Sequence, residues 1–260
     1  MACSRTQEQA KGMIKVEALF TPAEFQDLHN RDLSKTTCVV FDVLRATSTI
    51  ITALGNGAAA VIPVEEIDDA LRLKRERPEL LLAGERGGVR IRKGRTTFDL
   101  GNSPREFERQ AVEGRTIVIT TTNGTRALLA CRAAPLILVA SFLNLSATCD
   151  QIQAAAPTEL LLVCGGTFNE AAYEDVLCAG AVIDVLKQKN ATDLADSALL
   201  AWKAYRLEER DLTNALGQSR NGRHLLEQPE LHDDVAFCAQ RDRVALVARL
   251  EKDGRITRAH

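Results

Sequence analysis

Acidic and basic side chains follow several apolar segments of this sequence, at the point where each segment ends. Asp42 and Arg45 come after one such segment, and Glu85 and Arg86 come after another. Asp99 stands shortly before a predicted helix start. Carboxylates are oxygen ligands that suit Mg²⁺, and guanidinium groups match phosphate oxygens with paired hydrogen bonds. This combination indicates Mg²⁺ together with a small anionic phosphate ester as the substrate.

Two further junctions between a predicted strand and a predicted helix carry polar groups. Thr122, Asn123 and Gly124 form the first junction, where the backbone N–H groups at the start of a helix can bind an anion. Glu174 and Asp175 lie in the first turn of another helix, where the helix dipole also favours acids that bind no ligand. The first junction therefore predicts a phosphate cradle, and the second leaves metal binding and a purely structural role open.

The motifs of phosphatases that use a covalent nucleophile do not fit these residues. The haloacid dehalogenase type needs a second Asp two residues after the first, and Leu44 stands at that position. Cys38 and Arg45 are one residue too far apart for a cysteine phosphatase loop, and the residues around His224 have the wrong order for a histidine phosphatase. We therefore favour hydrolysis by a metal-activated water.

Alternating strands and helices must bring these groups together. The run Cys-Val-Val-Phe at residues 38–41 is apolar throughout, which is typical of a strand buried on both faces of a sheet. Ligands of open α/β sheets bind beyond the carboxyl ends of the strands. We therefore predict an α/β fold with three layers, α/β/α, around a mostly parallel or mixed central sheet.

The same patterns predict the other elements along the chain. Predicted strands lie near residues 14–20, 58–64, 80–83, 116–122, 135–142, 159–164 and 244–250. Helices are predicted between them and from residue 193 onward, with hydroxyl residues at 47–49 as candidate N-caps and a capping box at Ser103. Residues 89–99 are rich in Lys and Arg and predict an exposed loop or lid, and residues 219–224 predict a polar loop.

Composition limits the class of protein. The chain of 260 residues has a formal net charge of -2 and no basic block, so nothing favours a nucleic-acid partner. No apolar run is long enough to span a membrane and residues 1–12 are polar, which predicts a cytoplasmic protein. The seven cysteines are scattered, which argues against disulfides and a zinc site. We predict a flexible tail at residues 1–12 and one α/β phosphatase domain over residues 13–260, compatible with two lobes and with a homodimer.

Five ordered motifs resemble the 2-phosphosulfolactate phosphatase family. They are Asp-Val-Leu-Arg-Ala-Thr-Ser-Thr at 42–49, Gly-Glu-Arg-Gly-Gly at 84–88, Phe-Asp-Leu-Gly-Asn-Ser-Pro at 98–104, Thr-Thr-Thr-Asn-Gly-Thr-Arg-Ala at 120–127 and Glu-Asp-x-x-Cys-Ala-Gly at 174–180. The resemblance implies a Mg²⁺-dependent phosphatase with a three-layer α/β/α fold. It also implies that the reaction converts 2-phospho-3-sulfolactate to 3-sulfolactate and phosphate, a step of coenzyme M biosynthesis.

The resemblance and the residue types together give the predicted site. The predicted catalytic residues are Asp42, Arg45, Glu85 and Asp99. The predicted metal ligands are Asp42, Glu85, Asp99, Glu174 and Asp175. The predicted substrate-binding residues are Arg86, Thr122, Asn123, Gly124 and Arg126. A second anion of the substrate is expected to bind one of three arginines, which are Arg45, Arg86 and Arg126.

Two alternatives remain open from the sequence. The basic segment at residues 90–95 differs from the form expected for the family, and this difference allows another small phosphorylated hydroxy acid as the substrate. A non-hydrolytic protein that binds a phosphorylated metabolite would also keep an anion site. The number of carboxylates beside the predicted phosphate cradle favours an enzyme.

Overall fold

The structure is a computed structural model that describes residues 13–94, 96–189 and 192–259. The predicted flexible tail at residues 1–12 lies outside these ranges, as does Arg95 of the basic segment. The strands are β1 (Ile14–Leu19), β2 (Thr36–Phe41), β3 (Ala60–Pro63), β4 (Leu81–Arg86), β5 (Val89–Arg90), β6 (Arg92–Lys93), β7 (Thr96–Thr97), β8 (Thr116–Thr120), β9 (Leu136–Ala140), β10 (Glu159–Cys164), β11 (Thr192–Leu194), β12 (Val247–Leu250) and β13 (Ile256–Ala259).

Eleven α-helices accompany these strands in the described ranges, together with three short 3-10 helices at Asp27–Asn30, Pro104–Glu106 and Phe142–Asn144. The α-helices are α1 (Pro22–Gln26), α2 (Ala46–Gly55), α3 (Ile67–Glu76), α4 (Arg109–Val112), α5 (Gly124–Ala130), α6 (Leu145–Ala155), α7 (Tyr173–Lys189), α8 (Asp196–Glu208), α9 (Leu212–Gln218), α10 (Arg220–Leu226) and α11 (His232–Cys238). Within the described part of the chain, no helix has both the length and the apolar character needed to cross a membrane.

Eleven of the strands form one mixed sheet with the order β11-β1-β10-β2-β9-β12-β13-β3-β8-β4-β5. β1, β10, β2 and β9 pair in parallel, and so do β3, β8 and β4. The antiparallel hairpin of β12 and β13 joins these two parallel groups, because it pairs with β9 on one side and with β3 on the other. The predicted α/β fold with a large mixed sheet is confirmed.

Helices cover both faces of the sheet around β2. Alternate residues of a strand point to opposite faces. Val39 and Phe41 accordingly belong to the apolar cluster that includes α7, whereas Cys38 and Val40 belong to the cluster that includes α2. Every residue of β2 is buried. The apolar run therefore forms a strand that is buried on both faces, as predicted, because helices pack against both sides of it.

The carboxyl ends of β2 and β10 meet beside Asp42. Phe41 pairs with Cys164 in the ladder, and the Gly165 N–H donates to the Phe41 carbonyl at 2.6 Å. A Cβ atom at Gly165 would lie 3.1 Å from that carbonyl oxygen and 3.2 Å from the Asp42 Cβ. Glycine therefore lets the segment after β10 pass close to the carboxylate that ends β2.

A second close approach joins β4 to β8. Gly84 pairs with Thr120 and has a φ of +148°, a conformation that side chains rarely adopt. A Cβ atom at Gly84 would lie 2.1 Å from the Thr120 carbonyl oxygen, so glycine is required at this position. The close pairing places Glu85, the next residue, beside the chain that leaves β8.

The structure differs from the sequence prediction in four segments. Residues 219–224 belong largely to α10 rather than to a loop, and residues 89–99 contain three short strands, β5, β6 and β7. β11 occupies the start of the helix predicted from residue 193, and α8 begins only at Asp196. β13 was not predicted. Short strands depend on the partner they pair with more than on their own residue pattern. Sequence periodicity therefore could not find them.

The hydroxyl residues predicted as helix caps near the site form other hydrogen bonds instead. α2 begins at Ala46, ahead of the predicted N-caps at 47–49. The Thr47 hydroxyl instead donates to the Asp42 carbonyl at 3.0 Å. The capping box predicted at Ser103 does not form, because the hydroxyl of this residue donates to Asp234 Oδ1 at 2.7 Å. These hydroxyl groups stabilise the loops around the site rather than the ends of helices.

Candidate active site

A cavity of about 360 Å³ lies where the strand-end loops meet. Five residues of the predicted site line it, namely Asp42, Arg45, Glu85, Thr122 and Asn123. Other lining residues were not predicted as site residues, among them Asn102, Phe168, Arg220, Asn221 and His224. The cavity thus gathers polar groups from both parallel halves of the sheet and from α10.

Asp42 is nearly buried at the wall of the cavity. Its Oδ1 accepts from the Ala46 N–H at 3.1 Å, and a Cβ atom at Gly124 would lie only 2.6 Å from its Oδ2. Burial, helped by the nearby carboxylates of Glu85 and Glu174, raises the pKa of the Asp42 carboxyl to about 7, while backbone N–H groups oppose this increase. A nearby cation would therefore favour the charged form of Asp42 at neutral pH.

Glu85 fixes two turns at the cavity wall. Its Oε1 accepts from both the N–H and the hydroxyl of Thr122, at 2.9 Å and 3.0 Å. Its Oε2 accepts from the Gly88 N–H at 2.7 Å. Both donors of Thr122 therefore bind this carboxylate. Asn123 of the predicted cradle also lines the cavity, and its side-chain donors have no partner among the described contacts.

Glu174 and Asp175 are buried together at the start of α7. Asp175 Oδ1 accepts from the Val43 N–H at 2.8 Å, and its Oδ2 accepts from the Gly166 N–H at 3.2 Å. Glu174 Oε1 accepts from the Asn221 side chain at 2.6 Å, whereas its Oε2 has no hydrogen-bond partner among the described residues. Burial raises the pKa of both carboxyls, and for Asp175 the neighbouring Glu174 adds to the increase.

The buried carboxylates fit a divalent cation. Among the described residues, no Lys, Arg or His forms an ion pair with Asp42, Glu174 or Asp175, although all three are buried. No group of three or more His, Cys, Asp or Glu within this part of the chain forms a complete protein cage for a metal. Mg²⁺ does not require one, because it keeps several waters and uses only one or two carboxylates. The unpartnered Glu174 Oε2 and the uncompensated Asp42 suit this kind of coordination.

Arg45 is held by a buried carboxylate that comes from far along the chain. Its Nη1 donates to Asp234 Oδ2 at 2.8 Å, and its Nη2 donates to the Gly88 carbonyl at 3.0 Å. Arg45 therefore does not form a local ion pair with Asp42, although the two residues are close in sequence. Asp234 also accepts from the Ser103 hydroxyl, so the pair joins α11 to the loops after β2 and β4.

Six residues of the predicted site are outside the cavity lining, namely Arg86, Asp99, Gly124, Arg126, Glu174 and Asp175. Three of them, Arg86, Arg126 and Asp99, have partners away from Asp42. Arg86 donates to the Glu65 carbonyl at 3.1 Å and to the Thr120 hydroxyl at 2.9 Å, and Arg126 faces the Glu65 carboxylate at 3.8 Å. Asp99 Oδ2 accepts from the Leu82 N–H at 2.8 Å and lies 3.7 Å from Lys74 Nζ. The structure therefore does not bring Arg86, Arg126 and Asp99 to the wall that contains Asp42.

The main site element missed from the sequence is α10. Ser219 caps it by accepting from the Gly222 N–H at 2.9 Å, and a Cβ atom at Gly222 would lie 1.9 Å from the Leu216 carbonyl oxygen. The cap directs Arg220, Asn221 and His224 toward the cavity. The signal was present in Ser219 as an N-cap residue, but the Asn-Gly pair that follows is typical of turns.

The thiols of this protein lie in the core. The six cysteines of the described residues are free and buried, and none of these six lines the cavity. Burial raises the pKa of Cys238 to about 12, and it holds the pKa of Cys164 and Cys178 well above the ordinary value. They therefore serve as small apolar side chains, which agrees with the argument against a cysteine nucleophile.

Comparison with known proteins identifies a family and several relatives to which this chain is similar. A sequence model of the 2-phosphosulpholactate phosphatase family matches residues 23–253. A protein of Pseudothermotoga lettingae named probable 2-phosphosulfolactate phosphatase is 40% identical over 244 residues, which cover 94% of this chain and 99% of that protein. A protein of the same name from Thermotoga petrophila is 43% identical over 206 residues, which cover 79% of this chain and 85% of that protein. Another, from Caldanaerobacter subterraneus, is 37% identical and covers 90% of this chain and 95% of its own length.

Proposed function

This chain belongs to the 2-phosphosulfolactate phosphatase family, and we propose that it hydrolyses the phosphate ester of 2-phospho-3-sulfolactate with Mg²⁺ as its cofactor. The observation that carries the proposal is the set of buried carboxylates beside a cavity of small-molecule size. The charge of Glu174 adds to the increase in the pKa of Asp42, and neither carboxylate has a basic partner among the described residues. A bound cation would relieve this repulsion and attract a phosphate.

The residues of this chain would divide the work as follows. Asp42 and Glu174 would hold the metal, and Glu85 fixes the turns on the other side of the cavity. When bound, Mg²⁺ supplies positive charge that neutralises the phosphoryl group and favours attack by water. Asn123 donates to a phosphate oxygen, since its side chain reaches the cavity. Arg45 contributes positive charge to the wall while its geometry is fixed by Asp234.

Release of phosphate from purified protein tests the activity directly. With 2-phospho-3-sulfolactate and Mg²⁺ we expect turnover that EDTA abolishes and that added Mg²⁺ restores. Parallel assays with 2-phospholactate and glycerol phosphate report the preference among small phosphate esters. Tight binding of these esters without phosphate release would instead favour the non-hydrolytic alternative. A better turnover of another phosphorylated hydroxy acid would replace the proposed substrate but keep the reaction.

The pH dependence of stability gives a test of the metal site that needs no turnover. A carboxyl whose pKa is raised on folding stabilises the protein below its unfolded value and loses that contribution as the pH rises through its folded value. For Asp42 this window runs from 3.8 to about 7, and Glu174 and Asp175 shift in the same direction. We therefore expect the metal-free protein to lose stability between pH 4 and pH 7.

Mg²⁺ should reverse this loss where the carboxyls are ionised. At a hundredfold excess over its Kd, a ligand adds about 2.7 kcal/mol, which corresponds to roughly 5–10 °C in Tm for a protein of this size. Thermal melts with EDTA and with Mg²⁺ should show this increase at pH 8 and a much smaller one at pH 5. An equal increase at both pH values, or none at pH 8, would contradict the proposed ligands.

Three further expectations accompany this function. The cytoplasmic location, the absence of nucleic-acid and membrane partners, and a homodimeric state stay predictions from the sequence. Size-exclusion chromatography with light scattering measures the oligomeric state of the full chain.

A further inference from the structure

Two cationic side chains line the cavity among the described residues, and they differ in how they are held. The side chain of Arg45 is 3% exposed and that of its partner Asp234 is 0% exposed. The side chain of Arg220 is 51% exposed and that of its partner Glu170 is 62% exposed. Separating a buried pair leaves an uncompensated charge in the core, whereas water screens an exposed pair and replaces either partner at little cost. Arg220 can therefore exchange its partner for a ligand, and Arg45 cannot.

The first turn of α10 places Arg220 beside the proposed metal site. The next residue, Asn221, donates to Glu174 Oε1 at 2.6 Å and to the Thr167 hydroxyl at 2.8 Å. Thr167 and Glu170 close a tight turn, since each backbone N–H donates to the carbonyl of the other at 2.9 Å. Arg220 thus lines the cavity together with Asn221, which fixes a proposed metal ligand, and the Arg220 guanidinium pairs with Glu170 of this turn.

The chemistry of the substrate identifies what this cation would bind. 2-Phospho-3-sulfolactate carries a phosphate and a sulfonate on adjacent carbons, together with a carboxylate. A cation bound by the buried acids would bind the phosphate. A sulfonate is a weakly basic oxyanion that is a poor metal ligand, and a guanidinium can bind two of its oxygens with paired hydrogen bonds.

We propose that Arg220 forms the sulfonate subsite of the cavity and that Glu170 occupies its guanidinium when no substrate is bound. This inference rests on the proposed function for the identity of the second anion. It replaces the three arginines expected from the sequence, because Arg86 and Arg126 lie outside the cavity lining and Arg45 is committed to Asp234.

Binding of the product tests the subsite without relying on turnover. Calorimetric titration of the full chain in Mg²⁺ would compare 3-sulfolactate with lactate, which lacks only the sulfonate. We expect Arg220→Met to weaken 3-sulfolactate binding by about 10-fold to 100-fold, the range of a charged hydrogen bond, and to change lactate binding little. Arg223→Met is the matched control, because Arg223 lies on the same helix and donates to the Gln218 carbonyl outside the cavity. Its binding of both compounds should equal that of the unmodified protein.

Kinetics distinguish failure of the subsite from failure of the function. With 2-phospho-3-sulfolactate, Arg220→Met should raise KM by the same factor, whereas KM for 2-phospholactate should change less than about threefold. Equal losses on both substrates, or no loss of 3-sulfolactate binding, would overturn the proposed subsite. An unmodified protein that binds 3-sulfolactate through Arg220 but releases no phosphate would overturn the proposed reaction and keep the subsite.

The role of Glu170 has its own test. Glu170→Gln removes the competing carboxylate, so 3-sulfolactate should bind about twofold to fivefold more tightly. The same change in the Arg220→Met background should have no effect on binding, because the guanidinium is then absent. A gain that persists in that background would show that Glu170 repels the ligand directly and would contradict exchange at Arg220.

Discussion

Replacing Asp42 with asparagine is expected to lower kcat for phosphate release by at least about 1,000-fold, which corresponds to roughly 4 kcal/mol of transition-state stabilisation. Asn has nearly the same volume and keeps an oxygen that can accept from the Ala46 N–H, which donates to Oδ1 at 3.1 Å. It lacks the negative charge that a divalent cation requires. Steady-state phosphate release at increasing Mg²⁺ concentration measures the effect.

The stability of the Asp42→Asn variant separates a lost charge from a damaged fold. Burial raises the pKa of the Asp42 carboxyl to about 7, so a neutral side chain at this position should keep or increase the Tm of the metal-free protein at pH 8. Asp150→Asn serves as the control, because the Asp150 side chain is 67% exposed and pairs only with Lys189 in the described structure. Near-normal turnover of Asp42→Asn at saturating Mg²⁺ would remove Asp42 from the proposed metal ligands.

Replacing Asp234 with alanine is expected to lower the free energy of unfolding by about 3–5 kcal/mol. Its carboxylate is fully buried and accepts from Arg45 at 2.8 Å and from the Ser103 hydroxyl at 2.7 Å. Alanine would leave the buried guanidinium of Arg45 without its counter-charge. Urea denaturation followed by circular dichroism gives the change in unfolding free energy.

The neighbouring acid provides a matched control for Asp234. Asp233 has a side chain that is 74% exposed and pairs with Arg105 at the surface, so Asp233→Ala should cost less than about 1 kcal/mol. A double change, Arg45→Met with Asp234→Leu, should recover much of the stability lost in Asp234→Ala, because it removes both buried charges. Equal effects of the two single alanine variants would argue that the buried pair with Arg45 contributes little.

The direction of the strands could be predicted only in part from the sequence. The prediction that strand ends meet assumes one parallel sheet, whereas the hairpin of β12 and β13 introduces three successive antiparallel pairings between the two parallel groups. Adjacent strands rotate by roughly 20–25°, so the five pairings from β2 to β8 turn the second group by about 100–125°. Asp42 of the first group and Glu85 of the second line the same cavity. Sequence periodicity contains no information about this arrangement.

Local residue patterns determined the features that depend on near neighbours. The apolar run before Asp42 defined a strand buried on both faces, because the side chains of a strand alternate between faces and none of these is polar. Thr21 and Glu24 form a capping box at the start of α1, and all of its groups lie within one helical turn. The motif around Gly84 also placed Glu85 at the end of a strand.

Tertiary structure alone decided which charged groups face the cavity. Arg45 pairs with Asp234, 189 residues away, and Arg220 lines the cavity because it lies on α10, which packs against α9 and α11. Asp99 turns to the backbone of β4, although its spacing resembles that of the other acids. The energy of a charged group depends on its burial and its partners, which come from distant parts of the chain. A sequence can therefore identify residues able to bind a phosphate ester and a metal, but only packing selects the ones that meet.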